Sequence, residues 1–383
     1  MNYATGVRAA WLFPSLRKGN YWHPIFRDFS QRFETIVYAG LWPGFSPGLE
    51  DTFEVEVVGQ TQFGQDYSAR IANASPKIII PLLKFRPQII FTSGFSIWTI
   101  LALALKPLTG WRVAILYDGS SPSIDFRNSW ARLLLRRSLV RMADGFCANS
   151  GAAKDYLIEV LNAPPARVFG NTYLVPDLTA LLPSNGDIAP VASLPVANDP
   201  QITTFLFVGE LIPRKGMRQL LQACARLNRA SNHHYRLLAI GDGEERVELA
   251  QLATAEHLDD IVTWVGWVPY EQLGAYFQLA DALIFPTLED VWGMVVLEAM
   301  AFGLPVLCSQ WAGAAELIVA GENGELFDPH QPLELAALME RVLQQPLLLE
   351  TMGATAHRMT AHHTPAAAVD NFETVIHQIL GSR

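Results

Sequence analysis

Hydrophobic positions along the chain fall into two series in which short apolar runs alternate with longer amphipathic segments. The first series predicts strands over residues 7–13, 35–39, 89–92, 111–116 and 145–148, and helices over 20–33, 75–85, 126–142 and 150–161. The second predicts strands over 205–208, 235–240, 262–265, 282–285, 306–308 and 325–327, with helices that begin near residues 216, 244, 270, 293, 313 and 332. Strands separated by helices of this length indicate parallel βαβ units, so each series predicts a doubly wound, Rossmann-like α/β domain.

A change of composition separates the two series. Residues 178–202 hold four prolines, many small residues and no basic group, which is typical of a linker. We therefore expect an N-terminal domain over residues 1–180, a linker over 181–202, a C-terminal domain over 203–364, and a last helix over 365–383 that packs back on the N-terminal domain. We expect the two domains to face a central cleft, because doubly wound sheets bind ligands at the carboxyl ends of their strands.

One uncharged stretch, residues 87–105, approaches the length needed to cross a bilayer. Ser93 and Gly94 interrupt it where a strand would give way to a helix, and similar units recur along the chain. We therefore interpret it as a buried strand, a turn and a buried helix rather than as a membrane span.

Composition and charge restrict the classes of protein that fit. Half of the 383 residues are hydrophobic and 17% are charged, which is typical of globular rather than disordered chains. The formal net charge of −9 excludes a dedicated, uniformly basic nucleic-acid binder. Residues 1–180 carry 18 Lys and Arg against 13 Asp and Glu, whereas the remainder carries 10 against 24. The cationic first half indicates an anionic surface or acceptor there.

Cysteine usage indicates the compartment. Cys147, Cys224 and Cys308 are odd in number and far apart, so they form neither a disulfide framework nor a zinc spacing. The N-terminal residues contain no long apolar core followed by a cleavage site, and we expect no signal peptide. Both observations favour a protein of the reducing cytoplasm.

The strongest chemical signal lies between the strand that ends near Pro286 and the helix that opens near Gly293. The intervening loop carries Glu289 and Asp290, and a third acid, Glu298, follows inside the helix. The first amides of the helix, those of Gly293, Met294 and Val295, can receive a phosphate or a sugar hydroxyl, helped by the helix dipole. Carboxylates beside such amides suit hydroxyl-rich ligands. The alternative is a capped amphipathic helix with solvated acids.

This stretch resembles the Glu-x7-Glu signature of the retaining, GT-B-fold glycosyltransferases of the large "group 1" family. The family pattern is E-x-F-G-x-x-x-x-E-A, and this chain has D-V-W-G-M-V-V-L-E-A at residues 290–299. Asp290 stands in the place of the first Glu and is one methylene shorter. This departure leaves open whether Asp290 or Glu289 meets the sugar.

Further motifs of the same family follow in order over residues 205–330. The segment F-V-G-E-L-I-P-R-K-G at 207–216 is similar to V-G-R-x(4–6)-K-G, with Lys215 at the diphosphate-binding lysine and Glu210 in place of the usual arginine. The resemblance implies that Lys215 binds the diphosphate, and Arg214 would supply the missing cation, unless the two lie in a solvated loop. The remaining donor-binding positions that the resemblance implies are Gly209, Gly241 in the Gly241-Asp242-Gly243 turn, and the nucleobase loop Gly266, Trp267 and Val268.

The first half resembles the family less closely. Tyr117-Asp118-Gly119 occupies the place of a His-Asp pair that often lines the acceptor site, so Asp118 is the candidate polar group at the sugar–acceptor junction, with a simple turn as the alternative. The loop Arg17-Lys18-Gly19-Asn20 stands where the family places a glycine-rich loop beside the donor phosphates.

The predicted helix 126–142 is rich in arginine. Apolar residues, Trp130 and several leucines, lie between its basic positions, and this mixture suits an anionic membrane surface. An ordinary surface helix is the alternative. The basic positions are Arg127, Arg132, Arg136, Arg137 and Arg141.

The resemblance implies a glycosyltransferase that moves a sugar from a nucleoside-diphosphate sugar to an acceptor hydroxyl with retention. Asp290 or Glu289, together with Asp118, would be catalytic. No D-x-D sequence occurs, so we expect no metal and no cofactor beyond the nucleotide sugar. A lipid or lipid-linked glycan would be the acceptor, at the inner face of the membrane. Two alternatives remain: a sugar-nucleotide 2-epimerase of the same fold, and a non-catalytic nucleotide-sugar-binding partner protein.

Overall fold

The structure is a computed structural model, and it describes residues 6–14, 16, 21–42, 44–45, 48–58, 75–170, 172–181, 202–230 and 234–381. The chain forms two compact units, one made of Met1–Val175 with His363–Arg383 and the other of Pro176–His362. Most of the expected linker and the whole Arg17-Lys18-Gly19-Asn20 loop lie outside the described residues.

The first unit is built on a sheet of seven parallel strands. These are β1 (Arg8–Phe13), β2 (Glu34–Ala39), β3 (Glu54–Val57), β4 (Ile89–Ser93), β5 (Arg112–Tyr117), β6 (Gly145–Ala148) and β7 (Val168–Gly170). Their order in the sheet is β3-β2-β1-β4-β5-β6-β7, and the order 3-2-1-4-5-6 is that of a Rossmann sheet. The five strands predicted in this half are confirmed. β3 and β7 were not predicted, because β3 alternates glutamate with valine and is mostly exposed, and β7 has only three residues.

Helices alternate with these strands, as expected for βαβ units. They are α1 (Trp22–Arg32), α2 (Ile79–Phe85), α3 (Ile97–Thr109), α4 (Pro122–Asp125), α5 (Trp130–Met142) and α6 (Gly151–Asp155). A π-helical turn, Tyr156–Val160, continues α6, and Ser150 caps the start of α6 by accepting a hydrogen bond from the amide of Ala153 at 3.2 Å.

The uncharged stretch 87–105 is divided as the sequence predicted. Strand β4 ends at Ser93, and α3 begins after a capping box in which Ser96 Oγ accepts from the amide of Thr99 at 3.3 Å. Trp98 on this helix is fully buried. Within the described parts of the chain, no helix combines the length and the apolar character that a membrane span requires.

The helix predicted over 126–142 is shorter than expected. Phe126 has a φ of +52° and ends the single turn α4, and α5 begins only at Trp130. A left-handed residue cannot continue a helix, so the chain turns between Phe126 and Trp130. Arg127 therefore precedes α5 instead of lying on it.

The second unit repeats the Rossmann order. Its six parallel strands are β8 (Thr203–Val208), β9 (Tyr235–Ile240), β10 (Val262–Gly266), β11 (Ala282–Phe285), β12 (Val306–Ser309) and β13 (Gly324–Phe327). Their order is β10-β9-β8-β11-β12-β13. All six predicted strands are thus confirmed, and the two halves are Rossmann-like sheets as the sequence predicted.

Helices of the second unit follow the predicted pattern with three differences, the first of which is an unpredicted short helix, Leu178–Leu181. The helices are α7 (Leu178–Leu181), α8 (Met217–Ala230), α9 (Arg246–Ala255), α10 (Leu273–Leu279), α11 (Met294–Ala301), α12 (Pro332–Gln344) and α13 (Pro346–Thr360). The helix expected near Gly313 is a 3₁₀ turn, Gly313–Leu317, and the helix at Pro346–Thr360 was not predicted.

The last helix, α14 (Pro365–Gly381), belongs to the first unit and packs against α1. The ring of Phe372 lies 5.0 Å from that of Trp11 in an edge-to-face contact. At the rim of this contact, Arg32 Nη1 donates to Asp370 Oδ1 at 2.6 Å.

Candidate active site

The candidate site of the second unit lies at the point where the winding of its sheet reverses. β8 and β11 are neighbours there, and the chain proceeds from them in opposite directions across the sheet. In doubly wound sheets this switch point forms a crevice at the carboxyl ends of the strands, where ligands bind. The two loops that leave β8 and β11 carry Lys215 and Asp290, respectively.

Backbone contacts hold these two loops together. Thr287 Oγ1 donates to the carbonyl of Arg214 at 2.9 Å, and the amide of Leu288 donates to the same carbonyl at 2.8 Å. Gly216 has a φ of +73°, and a Cβ there would lie 1.9 Å from the carbonyl oxygen of Pro286. Only glycine at position 216 lets the two loops come this close. Their close contact fixes the positions of Lys215 and Asp290 relative to each other.

Lys215 and Asp290 form an ion pair between Nζ and Oδ2. Their side chains are only 16% and 14% exposed, so the pair is shielded from solvent. Arg214 Nη1 lies 3.6 Å from the same carboxylate oxygen, and Arg214 Nη2 lies 3.8 Å from Glu210 Oε2. Glu210 stands where the family has an arginine, and Arg214 was expected to supply the positive charge that is missing there. The two side chains lie beside each other. Two cations and two carboxylates meet at the switch point.

The Asp290 loop is fixed by its backbone. The amide of Trp292 donates to Asp290 Oδ1 at 3.3 Å, and the amide of Gly313 donates to the Asp290 carbonyl at 3.0 Å. Glu289, the neighbouring candidate, is half-buried, and its carbonyl oxygen lies 3.0 Å from Thr287 Oγ1, where it shares the hydroxyl proton with the carbonyl of Arg214. Of the two candidates, Asp290 is the one whose carboxylate pairs with Lys215.

Gly293 brings the start of α11 to the same loop. Its φ is +105°, and a Cβ there would lie 2.7 Å from the Phe285 ring. Met294 and Val295 form the first turn of α11, whose amides have no acceptor within the helix. These amides and the dipole of α11 favour an anion or a hydroxyl oxygen beside the Asp290 loop.

Glu298 lies on α11 and is almost fully buried. Tyr270 Oη donates to Glu298 Oε1 at 3.1 Å, which holds the carboxylate in one orientation. Sequence reasoning did not single out Tyr270 for this role. The two residues lie 28 positions apart, and no motif connects them.

The three glycines expected to bind the donor come together at the carboxyl ends of β8, β9 and β10. Gly241 has a φ of +132°, and a Cβ there would lie 1.8 Å from the carbonyl oxygen of Gly209. The amide of Gly241 donates to the carbonyl of Gly266 at 2.8 Å. Next along the chain, Trp267 is 74% exposed and Val268 is half-buried. An exposed indole beside a glycine-lined edge offers a face on which a planar base can stack.

Asp118 belongs to the first unit, directly after β5. Its Oδ1 accepts a hydrogen bond from Tyr173 Oη at 2.6 Å. Asp118 is exposed, but neighbouring protein atoms take the place of part of the water around its carboxyl group. This loss of hydration raises the pKa of Asp118, whereas the hydrogen bond from Tyr173 lowers it. Burial raises the pKa of Tyr173 well above its usual range, so Tyr173 stays a donor.

Two of the arginines expected at a membrane surface are bound to their own chain. Arg136 Nη1 donates to the carbonyl of Asp125 at 2.9 Å and to Tyr156 Oη at 2.8 Å. Arg137 donates from Nε and Nη2 to the carbonyl of Val160 at 3.0 and 2.9 Å. These contacts correct the expectation for both residues, because their guanidinium groups satisfy backbone acceptors.

Arg127 is also engaged within the chain. Its Nε donates at 2.8 Å to Oδ2 of Asp125, a fully buried residue. The remaining two arginines, Arg132 and Arg141, are exposed, and the Arg132 guanidinium lies 3.9 Å from the centre of the Phe126 ring. The exposed basic surface of this region therefore consists of fewer arginines than the sequence predicted.

Fold and site together define an α/β protein with two Rossmann-like sheets, the second of which carries paired cations and carboxylates at its ligand-binding edge. Residues 196–359 match the family described as Glycosyl transferases group 1. These residues of the second half belong to that family, and the resemblance that their motifs indicated is confirmed for this part of the chain.

Individual relatives agree with this assignment. A D-inositol 3-phosphate glycosyltransferase of Thermomonospora curvata is 30% identical over 258 residues, which make up 64% of this chain and 58% of that protein. The chain thus spans less than two thirds of that relative's length.

Solved structures resemble nearly the whole chain. Sucrose-phosphate synthase from Thermosynechococcus elongatus has a TM-score of 0.77 at 19% identity, covering 98% of this chain and 100% of the other. Anabaena HepE in complex with UDP has a TM-score of 0.75, with the same identity and coverage. At this level of identity the likeness shows the GT-B fold alone.

Proposed function

We propose that the protein is a glycosyltransferase that moves a sugar from a nucleoside-diphosphate sugar to an acceptor hydroxyl, with retention and without a metal. The observation that carries this proposal is the Lys215–Asp290 ion pair at the switch point of the second sheet, with Arg214 beside it. A diphosphate needs cations at such an edge, and a sugar needs carboxylates that accept its hydroxyl groups. The family membership of residues 196–359 supports the same activity.

Each residue of the site has a role in this proposal. Lys215 neutralises the diphosphate, and the first amides of α11 receive a phosphate or sugar oxygen. Glu298, oriented by Tyr270, accepts the ribose hydroxyls. Asp290 orients the sugar, with Glu289 as the alternative.

The chemical step exchanges one bond at the anomeric carbon for another. The bond from that carbon to the diphosphate oxygen breaks, and the acceptor oxygen bonds from the same face. The departing diphosphate takes the acceptor's proton, so no strong protein base is required. Positioning of the acceptor and stabilisation of the leaving diphosphate by Lys215 then account for most of the rate. In this proposal Asp118, which accepts a hydrogen bond from Tyr173, would line the acceptor in the first unit.

Metal independence rests on charge. In this proposal Lys215 and Arg214 supply the positive charge that a divalent ion supplies in other nucleotide-sugar sites. The protein would need no cofactor apart from its co-substrate.

A lipid or lipid-linked glycan is the proposed acceptor, with the protein attached peripherally to an anionic membrane on its cytoplasmic side. Helix α5 exposes Trp130, Leu134 and Leu135 beside Arg132 and Arg141. Apolar side chains next to free cations are what an anionic lipid surface attracts.

The donor site is tested by thermal shift with a panel of nucleoside diphosphates and their sugars. We expect nucleotides of one nucleobase to raise the melting temperature, both as the nucleoside diphosphate and as the nucleoside-diphosphate sugar. We expect Lys215→Ala to remove most of this increase. Arg226→Ala, which removes an exposed cation elsewhere in the second unit, is the matched control and should keep it. A panel in which no nucleotide stabilises the wild type would overturn the proposal.

Incubation of the preferred donor without acceptor separates the two alternatives. An epimerase would isomerise the donor, and a binding module would bind it without transfer to any acceptor. The proposed transferase leaves the donor's sugar unchanged and consumes it when an acceptor is added.

A further inference from the structure

The first unit has a concave site at the edge of its sheet opposite to Asp118. The parallel strands β1, β4 and β5 begin at this edge, whereas Asp118 follows the carboxyl end of β5. A cavity of about 840 Å³ opens there. This volume falls within the range of roughly 300–1,000 Å³ that is usual for small-molecule sites. We call it the arginine pocket, after Arg8, Arg86 and Arg112 in its lining.

The arginine pocket carries an excess of positive charge. No acidic residue is found among the described residues that line it. Arg112 Nη1 pairs with Asp144 Oδ1 at 3.0 Å, but Asp144 also pairs with Lys106 at 2.7 Å, so one carboxylate offsets two cations. In the parts of the chain that the structure describes, Arg8 and Arg86 form no ion pair. Two guanidinium groups are therefore available to an anion.

The backbone beneath these arginines is fixed before any ligand binds. The amide of Arg8 donates to Gln88 Oε1 at 2.9 Å. Arg86 ends α2 in the left-handed conformation, with a φ of +54°, and its amide donates to the carbonyl of Leu82 at 3.0 Å. A non-glycine residue in this conformation is uncommon and strained. Position 86 therefore has an arginine in a backbone conformation that glycine adopts with less strain.

Apart from the neutral polar side chains of Gln88 and Thr109, the rest of the lining is largely apolar. Leu82 and Trp111 are buried, Leu83 is partly exposed, and Leu380 comes from the last helix. Trp111 Nε1 donates to the carbonyl of Ala102 at 2.9 Å, so its only polar atom is already satisfied. A ligand that fits both kinds of surface has an anionic end and an apolar body.

We propose that the arginine pocket binds an organic phosphate that carries an apolar group, at a site separate from the donor and acceptor sites. A phosphate monoester carries close to two negative charges and three acceptor oxygens, which suits two free guanidinium groups and a third that is partly engaged. A carboxylate would match only one of them. The leucines and Trp111 cover the apolar group.

Isothermal titration of the full chain with octyl phosphate, below its micelle concentration, tests this directly. We expect the wild type to bind one octyl phosphate per chain, saturably. The affinity of Arg8→Gln/Arg86→Gly should be at least about tenfold weaker, because each charged hydrogen bond to phosphate contributes about a factor of ten in affinity. Glycine suits the left-handed position at 86, so the variant should fold, and Arg8→Gln alone provides a second measurement. Lys84→Ala removes an exposed cation from the same helix outside the pocket and should bind like the wild type.

Further titrations show which site binds the octyl phosphate and whether the natural ligand is a lipid headgroup or a dissolved organic phosphate. Binding should persist in Lys215→Ala, since the donor site is not involved, so the result does not depend on the proposed transferase activity. Inorganic phosphate should bind more weakly than octyl phosphate. Phosphatidylcholine vesicles with phosphatidic acid will compete if the natural ligand is a lipid headgroup, and will not compete if it is a dissolved organic phosphate. Absence of binding to the wild type, or equal binding to the double variant, would overturn the inference.

Discussion

Lys215 and Asp290 form an ion pair at the switch point of the second sheet. In the proposed reaction a diphosphate would compete with Asp290 for the Lys215 ammonium. The Asp290 carboxylate would then be available to the hydroxyl groups of the sugar. Arg214 lies beside this pair, 3.6 Å from Asp290 Oδ2 and 3.8 Å from Glu210 Oε2. Under the proposed function, the same pair of residues would couple diphosphate binding to the orientation of the sugar.

Replacement of Lys215 by alanine should weaken binding of the free nucleoside diphosphate by roughly 10- to 100-fold. A charge-assisted hydrogen bond contributes about 1.5–3 kcal/mol, and each 1.4 kcal/mol is about a factor of ten in affinity. Titration calorimetry of Lys215→Ala and Arg226→Ala measures this. Unchanged affinity in Lys215→Ala would remove the lysine from the site.

The acids should separate by their kinetic effects. We expect Glu298→Gln to raise the KM for the donor, because it weakens contacts made before and during the reaction, and Asp290→Asn mainly to lower kcat. Tyr270→Phe should act like a milder Glu298→Gln, since it removes the hydrogen bond that orients the carboxylate. If Glu289→Gln is damaging and Asp290→Asn is silent, Glu289 is the residue that meets the sugar.

His23 should make the first unit sensitive to acid. It is buried among the rings of Trp42, Phe45 and Phe53, and burial lowers its pKa to about 4. The unfolded chain binds the proton near pH 6.5, so the stability held by neutral His23 is complete above that pH and is lost as the pH falls toward 4. Between pH 7 and 5 this amounts to about 2 kcal/mol. Urea unfolding of His23→Asn should show a correspondingly smaller loss over this interval; an identical loss would contradict the assignment.

Single residues were predictable where a short motif carried them. Lys215, Asp290 and Glu298 became candidates because their motifs in the second half resemble those of the family. Tyr270 and the ion pair itself were not predictable, because they depend on contacts between segments far apart in sequence.

At the scale of elements, α5 combines two kinds of arginine that the sequence could not distinguish. Arg136 and Arg137 bind backbone carbonyls, whereas Arg132 and Arg141 are exposed with Trp130. A charge reversal at Arg136 or Arg137 would therefore damage the fold and could not report on a membrane.

The membrane proposal is tested with Arg132→Glu/Arg141→Glu. Each basic group near an anionic surface contributes about 1 kcal/mol, screened over a Debye length of about 10 Å at 0.1 M salt. Co-sedimentation with vesicles rich in phosphatidylserine should fall with added salt and fall further in this variant. Arg226→Glu/Arg358→Glu, an equal charge change on the second unit, should bind like the wild type. A protein that ignores such vesicles at low salt would favour a dissolved acceptor.

Periodicity predicted most elements of both sheets and misjudged those governed by local contacts. The helix expected over 126–142 begins only at Trp130, because buried Asp125 accepts hydrogen bonds from Tyr117, Ser120 and Arg127 around the turn that ends at Phe126. No hydrophobic period records such a polar cluster. Likewise β3 has the composition of a solvated segment.

At the scale of the whole molecule, two halves of one architecture carry opposite charge. The second half holds the excess of acids and also the paired cations of the proposed donor site. The first half holds the excess of basic groups, including those of the arginine pocket. Fold class and family could be predicted because strand–helix alternation and motif order extend over long stretches. The acceptor could not, because the first half matches the family pattern less closely.

The stereochemistry of transfer tests the central claim most directly. With the donor chosen by thermal shift, the full chain is incubated with a panel of sugar, polyol and glycolipid acceptors in the presence of EDTA, and the product's anomeric coupling is read by proton NMR. We predict that the new glycosidic bond has the anomeric configuration of the donor, and that EDTA does not slow its formation. An inverted linkage, or transfer that stops with EDTA and resumes on addition of a divalent metal, would contradict the proposed mechanism.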